Sequence, residues 1–82
     1  MRSLNLDQLN ALAAVVEAGG FTAAARRLNL SQSTVSTQIG ELEQRLGVRL
    51  VERLGRKAFA TAVGREVLEH ATRIAQEVER SR

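Results

Sequence analysis

Uncharged polar side chains are concentrated between residues 31 and 38, where the chain reads SQSTVSTQ. Their hydroxyl and amide groups both donate and accept hydrogen bonds. Gln and Ser side chains of this kind can bond the edges of bases in the major groove of DNA. Any solvated helix can also carry Ser, Thr and Gln, so taken alone the segment equally fits an ordinary helix surface.

A basic cluster follows the polar segment and consists of Arg53, Arg56 and Lys57, next to Gly55. Arginine and lysine at such a position can contact backbone phosphates or lie in the minor groove of a duplex. Charges on a solvated turn are the ordinary alternative. Whether the polar segment and the basic cluster form a binding surface depends on the secondary-structure elements that position them.

The polar segment is predicted to open a helix that buries one seam. Apolar residues recur at a 4, 3, 4 spacing, at Val35, Ile39, Leu42 and Leu46. Ser31 can cap this helix and Gly47 can end it. At about 100° per residue, the opposite face carries Ser33, Thr37, Gly40 and Gln44, with Thr34, Ser36 and Glu41 on its flanks. Because the acidic residues of this helix begin only at Glu41, its N-terminal turns are uncharged. The positive end of the helix dipole lies at the same N-terminus, where it can attract phosphates.

Two shorter helical segments precede this helix. Asn5 is a plausible N-cap with Gln8 as its capping-box partner, and Gly19 and Gly20 stop the first helix. Apolar residues recur at helical spacing in it, at Leu6, Leu9, Ala13 and Val16. Thr22 can cap a second helix over residues 23–28, whose three consecutive alanines permit close packing. We therefore predict a helix-turn-helix over about residues 20–39.

The helical period disappears between residues 48 and 61, where residues 50–53 and 58–61 flank 54–57. This pattern predicts a small hairpin with a basic tip, placed as a wing would be. Thr61 can then cap a fourth helix of about 20 residues, on the order of 30 Å long. Its apolar seam again follows a 4, 3, 4 spacing, at Val67, Ala71, Ile74 and Val78. A narrow seam on a long helix suggests a partner helix, with packing on the chain's own core as the alternative.

Composition limits the classes of function that remain. The chain has 82 residues, 44% of them hydrophobic, no cysteine and one histidine, which fits one small, mostly helical domain without a disulfide framework. The net charge of +3 comes from 12 basic and nine acidic residues and is compatible with a polyanionic partner without requiring one. The absence of cysteine points to a reducing compartment, so we expect a cytoplasmic protein.

Several site classes find no support in the sequence. The longest apolar run, residues 11–16, is far shorter than the roughly 20 residues of a spanning helix, and the N-terminus lacks a signal-peptide pattern, so we expect no membrane insertion. Asp7 is the only aspartate, and no phosphate loop, nucleophile elbow or convergent carboxylate pair is present, so we expect no enzyme activity and no cofactor. Glu66 and His70 lie one helical turn apart, but two ligands do not make a specific metal site.

The segment AAARRLNLSQSTVSTQIGELEQRLGVRLVER closely resembles the N-terminal DNA-binding domain of LysR-type transcriptional regulators. The resemblance covers nearly the whole chain, from LNLDQLNALAAVVEAGGFTAAA at the start to the Thr61–Gly64 opening of the last helix. It implies a mainly α winged helix-turn-helix domain over residues 1–61, with its wing at about 48–61. A long linker helix over 62–82, through which two subunits dimerise, would follow.

The resemblance also assigns roles to single residues. Base or nearby phosphate contacts from the recognition helix are implied for Gln32, Ser33, Ser36 and Thr37. The resemblance implies supporting contacts with the DNA backbone for Thr22, Arg26 and Gln38. It also matches Arg53 and Arg56 to wing positions, with Arg56 as the residue that enters the minor groove. Together with the helix cap and the remaining wing lysine, the predicted DNA-binding set is Thr22, Arg26, Ser31, Gln32, Ser33, Ser36, Thr37, Gln38, Arg53, Arg56 and Lys57.

Three positions depart from the family pattern. Ser33 stands where many members have Pro, Thr37 where many have Arg, and Val51 where Phe is frequent. Loss of that arginine removes a phosphate or guanine contact, which bears on affinity and base preference but not on the fold. Family members normally continue into a large effector-binding domain, so we expect this chain to be a fragment of a longer regulator that meets any small-molecule effector only through that missing domain.

The sequence thus predicts sequence-specific binding to double-stranded DNA, at an interrupted palindrome, by a homodimer that can form a tetramer in the full-length protein. A helix-turn-helix module that binds another polypeptide is the alternative, and it predicts association that is insensitive to salt. A coiled-coil dimeriser without a nucleic-acid role would account only for the last 21 residues and leaves residues 31–57 unexplained.

Overall fold

The computed structural model describes residues 5–80, with only the helical backbone described for residues 72–80. In chain order the elements are α1 (Leu6–Ala18), α2 (Phe21–Leu28), α3 (Gln32–Leu46), β1 (Val51–Leu54), β2 (Lys57–Ala60) and α4 (Ala62–Arg80). The predicted arrangement of helices around one hairpin is confirmed.

Three predicted helix starts are confirmed by capping hydrogen bonds. The Asn5 side chain accepts from the backbone N–H groups of the first turn of α1. The Ser31 hydroxyl accepts from the Thr34 N–H at 3.1 Å, and the Thr61 hydroxyl accepts from the Gly64 N–H at 3.0 Å. Left-handed glycines end α1 and α3 as predicted, at Gly19 and Gly47. These caps fix where α3 and α4 begin, and hence which residues their first turns present.

Three sequence predictions about these helices are wrong. Thr22 does not cap α2, which begins at Phe21, two residues earlier than predicted, after an extended Gly20. Gln8 does not complete a capping box, because its buried side chain donates from Nε2 to Glu41 Oε1 of α3 at 3.3 Å. Leu46 is 37% exposed, since the inward seam of α3 ends at Leu42.

The hairpin is tighter than predicted. Leu54 and Lys57, expected in the turn, are paired as the last residue of β1 and the first residue of β2, so the turn has two residues, Gly55 and Arg56. Gly55 has a φ of +62°, a left-handed conformation that glycine adopts without a Cβ penalty. The basic tip is therefore held on a short, regular ribbon.

The core lies where α1, α2 and α3 meet. Its fully buried large side chains include Leu12 and Val15 of α1 and Val35 and Leu42 of α3. The predicted close packing of α2 is confirmed, since Ala24 and Ala25 are buried at 0% and 5% exposure. Leu50, Val51 and Ala58 extend the core into the hairpin, so the wing is part of the same packed body as the helix-turn-helix.

The start of α4 packs against this body. Val67 and Leu68 are half-buried against the core, which favours the alternative prediction for this part of the seam. Ala71 is also half-buried, while Ile74 and Val78 lie outside the described side chains. A dimer seam over these four residues, and the division between residues 1–61 and 62–82, stay predictions. None of the described helices is both long and apolar enough to cross a bilayer.

Candidate nucleic-acid interface

The N-terminal end of α3 forms a shallow polar groove. It is lined by four residues predicted to contact bases, Gln32, Ser33, Ser36 and Thr37, and has a volume of about 480 Å³. Gln32, Ser33 and Thr37 are exposed and Ser36 is half-buried, because Val35 and Ile39 turn the opposite face of the helix into the core. The groove thus offers hydroxyl and amide groups without a charged side chain among its lining residues.

Arg53 joins the wing to both helices of the helix-turn-helix. Its guanidinium carbon lies 3.7 Å from the centroid of the Phe21 ring at the start of α2. Its Nη2 donates to the Ser36 hydroxyl of α3 at 2.9 Å. Stacking of a guanidinium on an aromatic ring combines dispersion with attraction to the ring's negative face. Arg53 therefore fixes the wing relative to the groove.

A cation-lined cleft opens between the wing and the start of α2, with a volume of about 510 Å³. Its charged lining residues are Arg26, Arg53, Arg56 and Lys57. No acidic side chain is among the described residues that line it. Four cations around one concave surface create a positive potential that suits a polyanion such as a phosphate backbone.

Gln32 lines both the polar groove and the cation-lined cleft. The Thr22 hydroxyl of α2 donates to Gln32 Oε1 at 3.2 Å, which ties the first residue of α3 to the preceding helix. The two surfaces are therefore continuous. Uncharged groups able to read base edges lie directly beside charges able to hold phosphates.

Residues 6–65 match the profile of the bacterial regulatory helix-turn-helix proteins of the LysR family. This chain belongs to the LysR family. The match includes α1, α2, α3, the hairpin and the first turn of α4, so the groove, the cleft and the wing all lie within the family domain.

Relatives of this LysR-family chain are described as transcriptional regulators. The chain is 47% identical over 79 residues to an HTH-type transcriptional regulator in the ibpB-leuC intergenic region of Azotobacter vinelandii, a match that spans 96% of the chain and 55% of that relative. It is similar to the CbnR DNA-binding domain in its complex with DNA, with a TM-score of 0.85 and 44% identity over 95% of this chain and 90% of that one. The corresponding BenM domain in complex with benA site 1 DNA gives a TM-score of 0.84 and 35% identity, covering 95% and 91%.

Within this LysR-family domain, the predicted DNA-binding residues fall into three sets. The cleft is lined by Thr22, Arg26, Arg53, Arg56 and Lys57. The groove is lined by Ser33, Ser36 and Thr37, and Gln32 lines both surfaces. Ser31 and Gln38 line neither surface. The Ser31 hydroxyl is engaged at the start of α3, 2.8 Å from Thr34 Oγ1, and Gln38 is half-buried.

Sequence reasoning missed two residues that position the site. Phe21, with 6% exposure, supplies the ring under Arg53. Glu43 Oε2 accepts from the N–H groups of Leu50 and Val51 at 2.8 and 3.2 Å, which anchors the start of the wing to the end of α3. Their positions in the sequence carry a signal, since Phe21 directly follows two glycines and Glu43 is an acidic residue near the end of a polar helix. The residues they contact lie elsewhere along the chain, so the sequence did not identify their roles.

Glu66 and His70 are both exposed on α4. Among the described residues, no three His, Cys, Asp or Glu side chains are grouped so as to hold a metal ion.

Proposed function

We propose that this chain is the DNA-binding part of a LysR-type transcriptional regulator that recognises a specific double-stranded sequence. The observation that carries the proposal is the continuity of the uncharged groove and the cation-lined cleft through Gln32. In this arrangement the first turns of α3 enter the major groove and the wing lies on the minor groove. The DNA-bound CbnR and BenM domains that share this fold support it.

The two surfaces divide the work of binding. Gln32, Ser33, Ser36 and Thr37 read base edges, while Thr22, Arg26 and Lys57 hold the phosphate backbone and Arg56 reaches into the minor groove. Ser31 contributes to DNA binding by fixing the first turn of α3, and Gln38 makes a supporting contact with the DNA backbone. Arg53 acts from the wing on both surfaces.

The binding unit we propose is a homodimer formed through the α4 seam. Two recognition helices would then meet successive major grooves about one helical turn apart, at an interrupted palindrome. The chain spans about half the length of the Azotobacter relative it matches. The full-length protein would carry an effector-binding domain, could associate into a tetramer and would act in the cytoplasm.

Two alanine substitutions test this division of work. Gln32→Ala should weaken one preferred duplex by about 1 to 3 kcal/mol and relax base choice at one position. Arg56→Ala should weaken all duplexes more evenly and reduce the slope of log affinity against log salt by about one. Fluorescence anisotropy with labelled duplexes at several salt concentrations measures both.

The same titrations separate DNA binding from the alternative of a protein-interaction module. Duplex affinity must fall steeply as salt rises, because bound counterions are released. An unchanged base preference after Gln32→Ala would remove the recognition role of α3.

A further inference from the structure

The hydrogen bond from Thr22 fixes which atom of the Gln32 amide is available. The amide has one acceptor oxygen and one NH₂ group with two donors. Because Oε1 accepts from the Thr22 hydroxyl at 3.2 Å, the oxygen is directed towards α2. The NH₂ group lies on the other side of the amide carbon, so it is the end of the side chain that remains to meet a base at the groove that Gln32 lines.

Arg53 imposes the same polarity on Ser36. The Ser36 oxygen accepts from Arg53 Nη2 at 2.9 Å, which leaves the hydroxyl with its O–H donor and one lone pair. A guanidinium this close polarises the hydroxyl and strengthens it as a donor. The same positive charge disfavours a second donor approaching that oxygen.

Two donors in one groove have a definite preference among bases. Guanine presents O6 and N7 and thymine presents O4 as major-groove acceptors, whereas adenine presents the N6 amino donor beside its N7 acceptor and cytosine presents the N4 amino donor. Reading adenine by a glutamine requires both amide atoms, one for N6 and one for N7. With its oxygen turned towards Thr22, the Gln32 amide cannot place both its oxygen and its NH₂ group on one adenine.

We propose that Thr22 and Arg53 are specificity-determining residues that hold Gln32 and Ser36 as donors and so select a keto base, guanine or thymine, at the positions these side chains read. This inference rests on the proposed function, since it describes how the same groove chooses its sequence. It gives Thr22 a positioning role beyond any contact with a phosphate.

The isosteric substitution Thr22→Val tests whether Thr22 holds Gln32 as a donor. Valine keeps the shape of threonine but cannot donate, so the Gln32 amide is free to turn and read adenine. Selection from a random duplex pool with the wild-type chain should give guanine or thymine at the position whose preference Gln32→Ala erases. In Thr22→Val, adenine should gain about fivefold or more at that position.

Two controls make the outcome specific. Thr34→Val removes a hydroxyl from the same first turn of α3, where its partner is Ser31, and should leave the base ranking at the Gln32 position unchanged. Adding Thr22→Val to Gln32→Ala should change no ranking further, because there is no amide left to release. A ranking altered equally in both backgrounds would mean that Thr22 acts independently of Gln32 and would overturn the inference.

The proposal that Arg53 holds Ser36 as a donor is tested by a double-mutant cycle, which compares Ser36→Ala, Arg53→Lys and the two changes together. Lysine keeps the charge but lacks the planar fork that stacks on Phe21 while bonding Ser36. We expect the effects on base ranking at the Ser36 position to be non-additive while the salt slope stays near that of the wild type. Additive effects would show that Arg53 does not set the polarity of Ser36.

Failure of this inference can be told apart from failure of the proposed function. If no duplex binds at low salt, DNA recognition itself is wrong and the inference falls with it. If duplexes bind with sequence preference but adenine or cytosine is preferred at the Gln32 position, or Thr22→Val leaves the ranking unchanged, donor polarity alone is wrong.

Discussion

Gln32, Ser36 and Arg53 already hold internal partners in the free chain. Gln32 bonds Thr22 and Ser36 bonds Arg53, so these side chains are less free to move than isolated ones would be. Ordering such side chains on binding costs about 0.5 to 1.5 kcal/mol each. Part of that cost is therefore met in folding, which favours one geometry of the groove over many.

Phe21→Leu isolates the contribution of the ring beneath Arg53. Leucine retains apolar burial but has no aromatic face, so the Arg53 side chain loses its stacking partner. We expect duplex affinity to fall by about 0.5 to 1 kcal/mol, with a loss of helical content too small to explain it. Anisotropy titrations paired with thermal unfolding by circular dichroism measure the two effects, and unchanged affinity would refute a role for the stack.

The recognition helix and the wing are joined as elements as well as through single residues. Glu43 near the end of α3 accepts from the first residues of the wing. At the other end of the hairpin, the Thr61 hydroxyl donates to the carbonyl of Arg49 at 2.7 Å, and the Thr61 N–H donates to the carbonyl of Leu50 at 3.0 Å. These bonds make α3, the hairpin and the start of α4 one unit, so the wing keeps a fixed place beside the groove.

Gly64→Ala should disrupt the joint between α4 and the hairpin. A Cβ built at Gly64 would lie 2.2 Å from the Leu50 carbonyl oxygen, a backbone atom that cannot move aside cheaply. We expect the free energy of unfolding to fall by about 1 to 3 kcal/mol or more, measured by urea denaturation.

Gly40→Ala is the matched control for that substitution. Gly40 is also helical, yet a Cβ there meets no atom within 4 Å. Alanine should raise the free energy of unfolding by about 0.4 to 1 kcal/mol because the unfolded chain loses conformational freedom. Equal stabilisation by both changes would mean that helix propensity rather than the Leu50 contact decides the outcome.

The elements that local patterns specify were predicted well from sequence. The seam of α3 through Val35 and Ile39, the Ser31 cap and the Thr61 cap depend on residues within a few positions of each other. The errors arose where a distant partner decides. Gln8 turns to Glu41 across the core, and Thr22 bonds Gln32 in place of a cap. The candidate site was found as a set of residues, but the bonds that orient it depend on tertiary contacts.

At the scale of the molecule, one small body carries both surfaces. The described chain spans 40 × 27 × 19 Å. A single such domain reads only one short half-site, and specificity for a longer sequence requires a second copy in a fixed relation. The seam predicted on α4 would supply that relation, with the half-site spacing set by the dimer.

Ile74→Glu tests the predicted dimer. A charge at that seam position should separate the subunits, because an unpaired charge is costly to bury. Sedimentation equilibrium should report a monomer, and affinity for a two-half-site duplex should fall while affinity for a single half-site is retained. An unchanged mass would place the dimer contact elsewhere.

Recognition of double-stranded DNA by α3 and the wing is tested most directly by selecting duplexes from a random pool with the wild-type chain and then titrating the enriched sequence at rising salt. We expect an interrupted palindrome whose affinity falls steeply as salt increases. Enrichment of no sequence, or association that does not respond to salt, would contradict it.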